Sequence, residues 1–131
     1  MNATELERGT LHVVATPLGN LGDLTQRACD VLTKADRVYA EDTRRTRVLL
    51  NHIGSSAAIK SLHEHNEKGR EAEVLSALEE GLSLALVSDA GTPAICDPGS
   101  EIVAAAAQAG FRVTPIPGVS ALAAALSVAG F

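Results

Sequence analysis

A chain of 131 residues, 46% hydrophobic and 21% charged, can bury one core and is too apolar to stay disordered. Its net charge of −5 argues against nonspecific nucleic-acid binding, which needs basic surface to displace counterions, but leaves room for a local basic patch. Tyr39, Phe111 and Phe131 are its only aromatics, too few to make a stacking platform for single-stranded bases.

Residues 1–10 read as a polar leader without an apolar signal region. LHVVAT (11–16), apolar and rich in β-branched residues, is the first predicted strand. After a Gly/Pro loop, Leu24, Ala28, Val31, Leu32 and Ala35 recur at helical spacing, and Asp23 with Gln26 makes a capping box. RVYA (37–40) is a second strand, and TRRTRVLLNHI a helix closed by Gly54. AIKSLH (58–63) is a third strand. The helix after it carries Ala72, Leu75, Leu78 and Leu82 on one face and stops near Gly81. LSLALV (82–87) is as uniformly apolar as a strand covered on both faces should be.

That fourth strand ends in SDAGTPAICDPG, far more constrained and charged than a plain connection of about 2–6 residues requires. Asp97-Pro98 then reads as an N-cap followed by proline at the first helical position, opening a helix that runs to Gly110. FRVTPI (111–116) is strand five, and SALAAALSVAG a final Ala-rich helix. The apolar run from Ala121 to Ala129 is too short to span a bilayer. Cys29 and Cys96 have no metal-type spacing and read as buried thiols of a reducing compartment. A soluble, cytoplasmic protein without membrane partner or metal is expected.

Strands alternating with helices predict an α/β fold: a five-stranded, mainly parallel sheet with helices on both faces. Ligands of such sheets sit outside the carboxyl ends of the strands, where five loops collect the unusual residues. In the first loop, Gly19 and Gly22 could bring backbone N–H groups to a ligand, and Glu41 closes strand two. That is the outline of a dinucleotide site, but a full GxGxxG is missing and no P-loop motif occurs. EDTRRTR (41–47) has two readings. Asp42 caps a helix whose arginines are a solvated face, or the arginines form a basic rim for phosphate. His63 and His65 share a strand face but lack a third metal ligand. Ser88, Asp89, Gly91 and Thr92 offer hydrogen-bonding groups in a loop stiffened by Pro93 and Pro98, which lowers the entropy lost on binding. PIPGVSA after strand five has matching chemistry, so two rigid loops suggest one shared pocket.

ATPLGNLGDLT, YAEDTRRT, LHEHNE, LVSDAGTPAICDPG and PIPGVSA, in this order, resemble the ribosomal RNA small subunit methyltransferase I family. That family lies in the tetrapyrrole methylase superfamily of class III methyltransferases. The resemblance runs from Leu11 to the end. It implies methyl transfer from S-adenosylmethionine to a cytidine ribose 2′-hydroxyl of 16S rRNA in the small ribosomal subunit. It further implies that Leu18 contacts the cofactor, that Ser88, Asp89, Ala90 and Pro93 line it from loop four, and Ser120 and Ala121 from loop five. Gly19, Gly91 and Gly118 would let the backbone come close. Two residues depart from the family pattern: Val119, where a proline is usual, and Cys96, where Ser or Asn is common.

A ribose hydroxyl is a weak nucleophile, and a base would help. The candidates are Glu41, Asp42 and His63, with Arg44 and Arg45 as candidates for RNA phosphates. The family folds as two domains with the cofactor between them. Residues 11–131 would be the N-terminal α/β domain, with the C-terminal domain absent from a fragment or a truncated protein. An apolar patch left uncovered then predicts a homodimer or other self-association. The alternatives are a methyltransferase acting on a tetrapyrrole ring, an inactive isolated domain, or a nucleotide-binding oxidoreductase module. The SDAGTP loop with EDTR and HEHN favours RNA over a tetrapyrrole.

Overall fold

The computed structural model describes residues 6–17, 19–63, 66–87, 99–118 and 126–130. Among the described residues, five strands, β1 (Thr10–Val14), β2 (Arg37–Ala40), β3 (Ala58–Ser61), β4 (Leu84–Val87) and β5 (Arg112–Ile116), alternate with four helices of nine or more residues. These are α1 (Gln26–Lys34), α2 (Thr43–Ile53), α3 (Glu67–Glu79) and α4 (Ser100–Gln108). The sheet has the order β3-β2-β4-β1-β5, and every pairing in it is parallel. The expected α/β architecture is what the chain adopts.

Side-chain alternation along each strand divides the core in two. Ala85 and Val87 of β4 face Ala28, Val31 and Leu32 of α1 and Leu49 and Leu50 of α2. Leu84 and Leu86 face Val74, Ala77 and Leu78 of α3 and Ile102 and Ala106 of α4. Right-handed crossovers account for this division. The chain steps one way across the sheet through α1 and α2, then back through α3 and α4. Central β1 and β4 are buried along their whole length. Pro115, which lacks a backbone donor, lies on edge strand β5 opposite Val13.

Several local expectations are corrected. Strand one ends at Val14 and strand three at Ser61. The cap of α1 is Thr25, whose hydroxyl accepts from the Ala28 N–H at 3.1 Å. Asp23 belongs instead to a short 3-10 turn over Leu21–Asp23, and the Gln26 amide donates to Asp30, so the capping box does not form. On α3 the buried face is Val74, Ala77 and Leu78, while Ala72 is exposed. Leu75 and Leu82 of the expected stripe are partly buried against the same core beside Leu78, so only Ala72 falls outside it. Helix α4 starts at Ser100 with Gly99 at its N-cap; Asp97 and Pro98 lie outside the described residues. Of the last predicted helix, residues 126–128 are helical and 119–125 lie outside the described residues. Cys29 is half-buried, its thiol pushed up by burial and then by Asp30. Cys96 lies outside the described residues, none of whose helices is long and apolar enough to cross a membrane.

His12 is 5% exposed in β1, and neither ring nitrogen has a hydrogen-bond partner among the described residues. Burial holds its imidazole below the ordinary histidine range; Glu7 pulls it back up and Arg27 lowers it further. The unfolded chain therefore takes up a proton as pH falls through about 6.5, and the folded chain only at lower pH. Stability present at neutral pH is lost on acidification. The unfolding midpoint should fall further between about pH 7.5 and pH 5.5 in the natural chain than in His12→Leu. Equal falls in urea or thermal denaturation would remove His12 as the cause.

Candidate functional site

Neighbours β1 and β4 send their outgoing connections to opposite faces of the sheet, β1 to α1 and β4 to α4. That makes a crevice at their carboxyl ends, the position where open α/β sheets take ligands. One wall is the segment after β1. The Ala15 N–H donates to the Ile116 carbonyl at 3.1 Å. A Cβ on Gly118 would stand 3.0 Å from the Ala15 Cβ, so the segments after β1 and β5 touch there through a glycine. Asn20 caps the 3-10 turn, its Oδ1 accepting from the Gly22 N–H at 2.8 Å. Gly22 therefore serves its own turn, contrary to the ligand role expected of it. At Gly19, no described atom lies within 4 Å of where a Cβ would stand. Leu18, Ser88, Asp89, Ala90, Gly91, Pro93, Ser120 and Ala121 lie outside the described residues.

The end of the segment that follows β4 is fixed by a contact the sequence pattern did not reveal. The Gly99 N–H donates to Glu67 Oε1 at 3.1 Å, buried, across 32 positions of chain. Gly99 has φ +124°, a conformation L side chains rarely adopt, and a Cβ on it would stand 3.0 Å from Leu86 Cδ2. Glu67 is 9% exposed in the first turn of α3. By sequence it was only an acid at a helix start, with no local signal pointing to its partner.

Glu41 and Asp42 follow β2, directly beside β4, and His63 follows β3, one strand further. Asp42 is the N-cap of α2: its Oδ1 accepts from Arg44 N–H at 2.9 Å and Arg45 N–H at 3.3 Å. Glu41 is exposed and takes no part in that cap. The backbone N–H of exposed His63 donates to Asn66 Oδ1 at 2.9 Å. Arg44 lines a cleft with Arg47, Lys60 and Arg70, whereas Arg45 is exposed on α2 outside that lining. His65 lies outside the described residues, among which no three His, Cys, Asp or Glu side chains gather as metal ligands.

Residues 10–131 match the family of tetrapyrrole (corrin/porphyrin) methylases. The chain is similar to proteins named ribosomal RNA small subunit methyltransferase I from Xylella fastidiosa, 57% identical over 122 residues, and Escherichia coli O157:H7, 51% identical over 123. These matches cover 93% and 94% of the chain but 45% and 43% of the relatives, so it spans less than half their length. Among solved structures, uroporphyrin-III-C-methyltransferase from Thermus thermophilus shares the fold, with a TM-score of 0.69 at 24% identity. That likeness covers 95% of this chain and 53% of the other.

Proposed function

The chain belongs to the tetrapyrrole (corrin/porphyrin) methylase family, and we propose that it is the cofactor-holding N-terminal half of a cytoplasmic S-adenosylmethionine-dependent methyltransferase. Its substrate in this reading is a cytidine ribose 2′-hydroxyl of 16S rRNA in the small ribosomal subunit. The supporting observation is 57% identity to a relative named for ribosomal RNA. The likeness to the uroporphyrin enzyme, at 24% identity, is one of fold. Residues 11–131 act as the N-terminal α/β domain, and a second domain closes the crevice over β1 and β4.

Gly19, with no described atom within 4 Å of where a Cβ would stand, fits a cofactor lying against the segment after β1. Leu18 and Gly19 hold it from that side, Ser88, Asp89, Ala90, Gly91 and Pro93 from the segment after β4, and Gly118, Ser120 and Ala121 from the segment after β5. When bound, S-adenosylmethionine supplies an electrophilic methyl group on sulfonium sulfur. The protein's part is to align the ribose oxygen with it and remove the hydroxyl proton. Glu41 is the preferred base of the three candidates. Asp42 spends an oxygen on α2, and His63 follows a strand one further from β4. Arg44 and Arg45 hold RNA phosphates.

An enzyme containing this chain should incorporate methyl groups into small ribosomal subunits and not into a porphyrin. The reverse pattern would replace the RNA reading with the tetrapyrrole one. The proposal extends to self-association, since Leu126 and Val128 are exposed, Val128 to 85%. Mass by light scattering should rise with concentration, and a constant monomer mass would contradict it.

A further inference from the structure

A cleft of about 550 Å³ opens along the free edge of β3, the end of the sheet away from β5. Arg44 and Arg47 of α2, Lys60 and Ser61 of β3, and Arg70 of α3 line it, and no carboxylate among the described residues does. Four of the chain's 11 lysines and arginines thus meet at one place in a protein of net charge −5. Basic side chains are concentrated there against the acidic balance of the whole chain.

The cations differ in how they are held. The Arg70 Nε donates to the Ser61 carbonyl at 3.0 Å and its Nη1 to Glu73 Oε2 at 2.8 Å. Lys60 Nζ lies 3.9 Å from Glu73 Oε1, and Arg37 Nη1 lies 3.8 Å from the same oxygen. Among the described residues, Glu73 thus lies within 4 Å of three cations, and Arg37 also feels Glu80. Arg44 and Arg47, three apart on one side of α2, have no ion-pair partner among the described residues. Charges spread over two flanks of a strand edge suit a succession of phosphates better than a single one. Thr43, Arg44 and Ser61 lie at the carboxyl end of the sheet, as the crevice does. Only β2 stands between β3 and β4, a separation of about 10 Å at two strand spacings.

We propose that this cleft holds the sugar–phosphate backbone of the single-stranded RNA that carries the target ribose, within a few nucleotides of it. This rests on the RNA reading above. With so few aromatics in the chain, the contact is to phosphates rather than stacked bases, and its signature is salt dependence. The test is binding of a short fluorescent single-stranded RNA to the chain across a potassium chloride series. Arg47→Ala with Lys60→Ala should weaken binding and reduce the slope of log K against log salt by about 1.4, two phosphate contacts at ~0.7 each. Arg27→Ala, an exposed arginine on α1 outside the cleft, should leave the slope unchanged. An unchanged slope in the double variant, an equal loss with Arg27→Ala, or no RNA binding at low salt would each overturn the assignment. Methyl incorporation by the enzyme containing this chain separates the two levels. Incorporation into small ribosomal subunits with an unaltered RNA slope would reject the cleft alone, and incorporation into a porphyrin instead would reject the underlying reading.

Discussion

Glu41→Gln in the methylating enzyme should lower the single-turnover rate by about 10²-fold or more, the usual loss when a positioned base is removed. The amide keeps the shape of the side chain but cannot take the 2′-hydroxyl proton. Asp42→Asn should leave the rate within a few-fold of the natural enzyme, because asparagine caps a helix about as well as aspartate. Asp42→Ala should instead cost about 1 kcal/mol of stability through the lost cap. The comparison works because two adjacent carboxylates have different surroundings. Asp42 Oδ1 is bonded to two backbone N–H groups, and Glu41 stands exposed before them. A rate lost only in Asp42→Asn, or only in His63→Gln, would move the base to that residue.

Glu67→Ala should destabilise the fold by about 2 kcal/mol, the scale of a hydrogen bond to a charged group whose partner is left buried and unpaired. The partner is the Gly99 N–H at 3.1 Å, at the N-cap of α4. Because the bond fixes that point, cofactor affinity should fall as well. Glu67→Gln keeps a carbonyl oxygen at the same reach and should restore most of both. Stability is read by urea denaturation and affinity by calorimetry. If Glu67→Ala lost stability but bound S-adenosylhomocysteine normally, Glu67 would be a fold residue with no role in positioning.

Features that depend on local chemistry were legible in the sequence. The apolar run Leu84–Val87 is a strand buried on both faces, and Gly54, which closes α2, has φ 75°. The N-cap reading of Asp42 was open from the motif alone, and the side chain makes that cap. Where two local signals competed, the sequence was ambiguous. Asp23 and Thr25 both precede an apolar periodic segment, and the 3-10 turn absorbed the first. Long-range features were not legible. Strand order depends on which crossover passes over which face. The Glu67–Gly99 bond joins residues 32 apart, and the basic cleft draws on three separate elements. Arg47, Lys60 and Arg70 look like ordinary surface charges until β3 becomes the sheet edge.

The most direct test of the central claim, that the crevice over β1 and β4 holds S-adenosylmethionine, is calorimetric titration of the chain with S-adenosylhomocysteine, with NAD as control. Saturable binding of S-adenosylhomocysteine alone, weakened by Asp89→Ala and Ser120→Ala, is the predicted result. Binding of NAD alone would contradict the account.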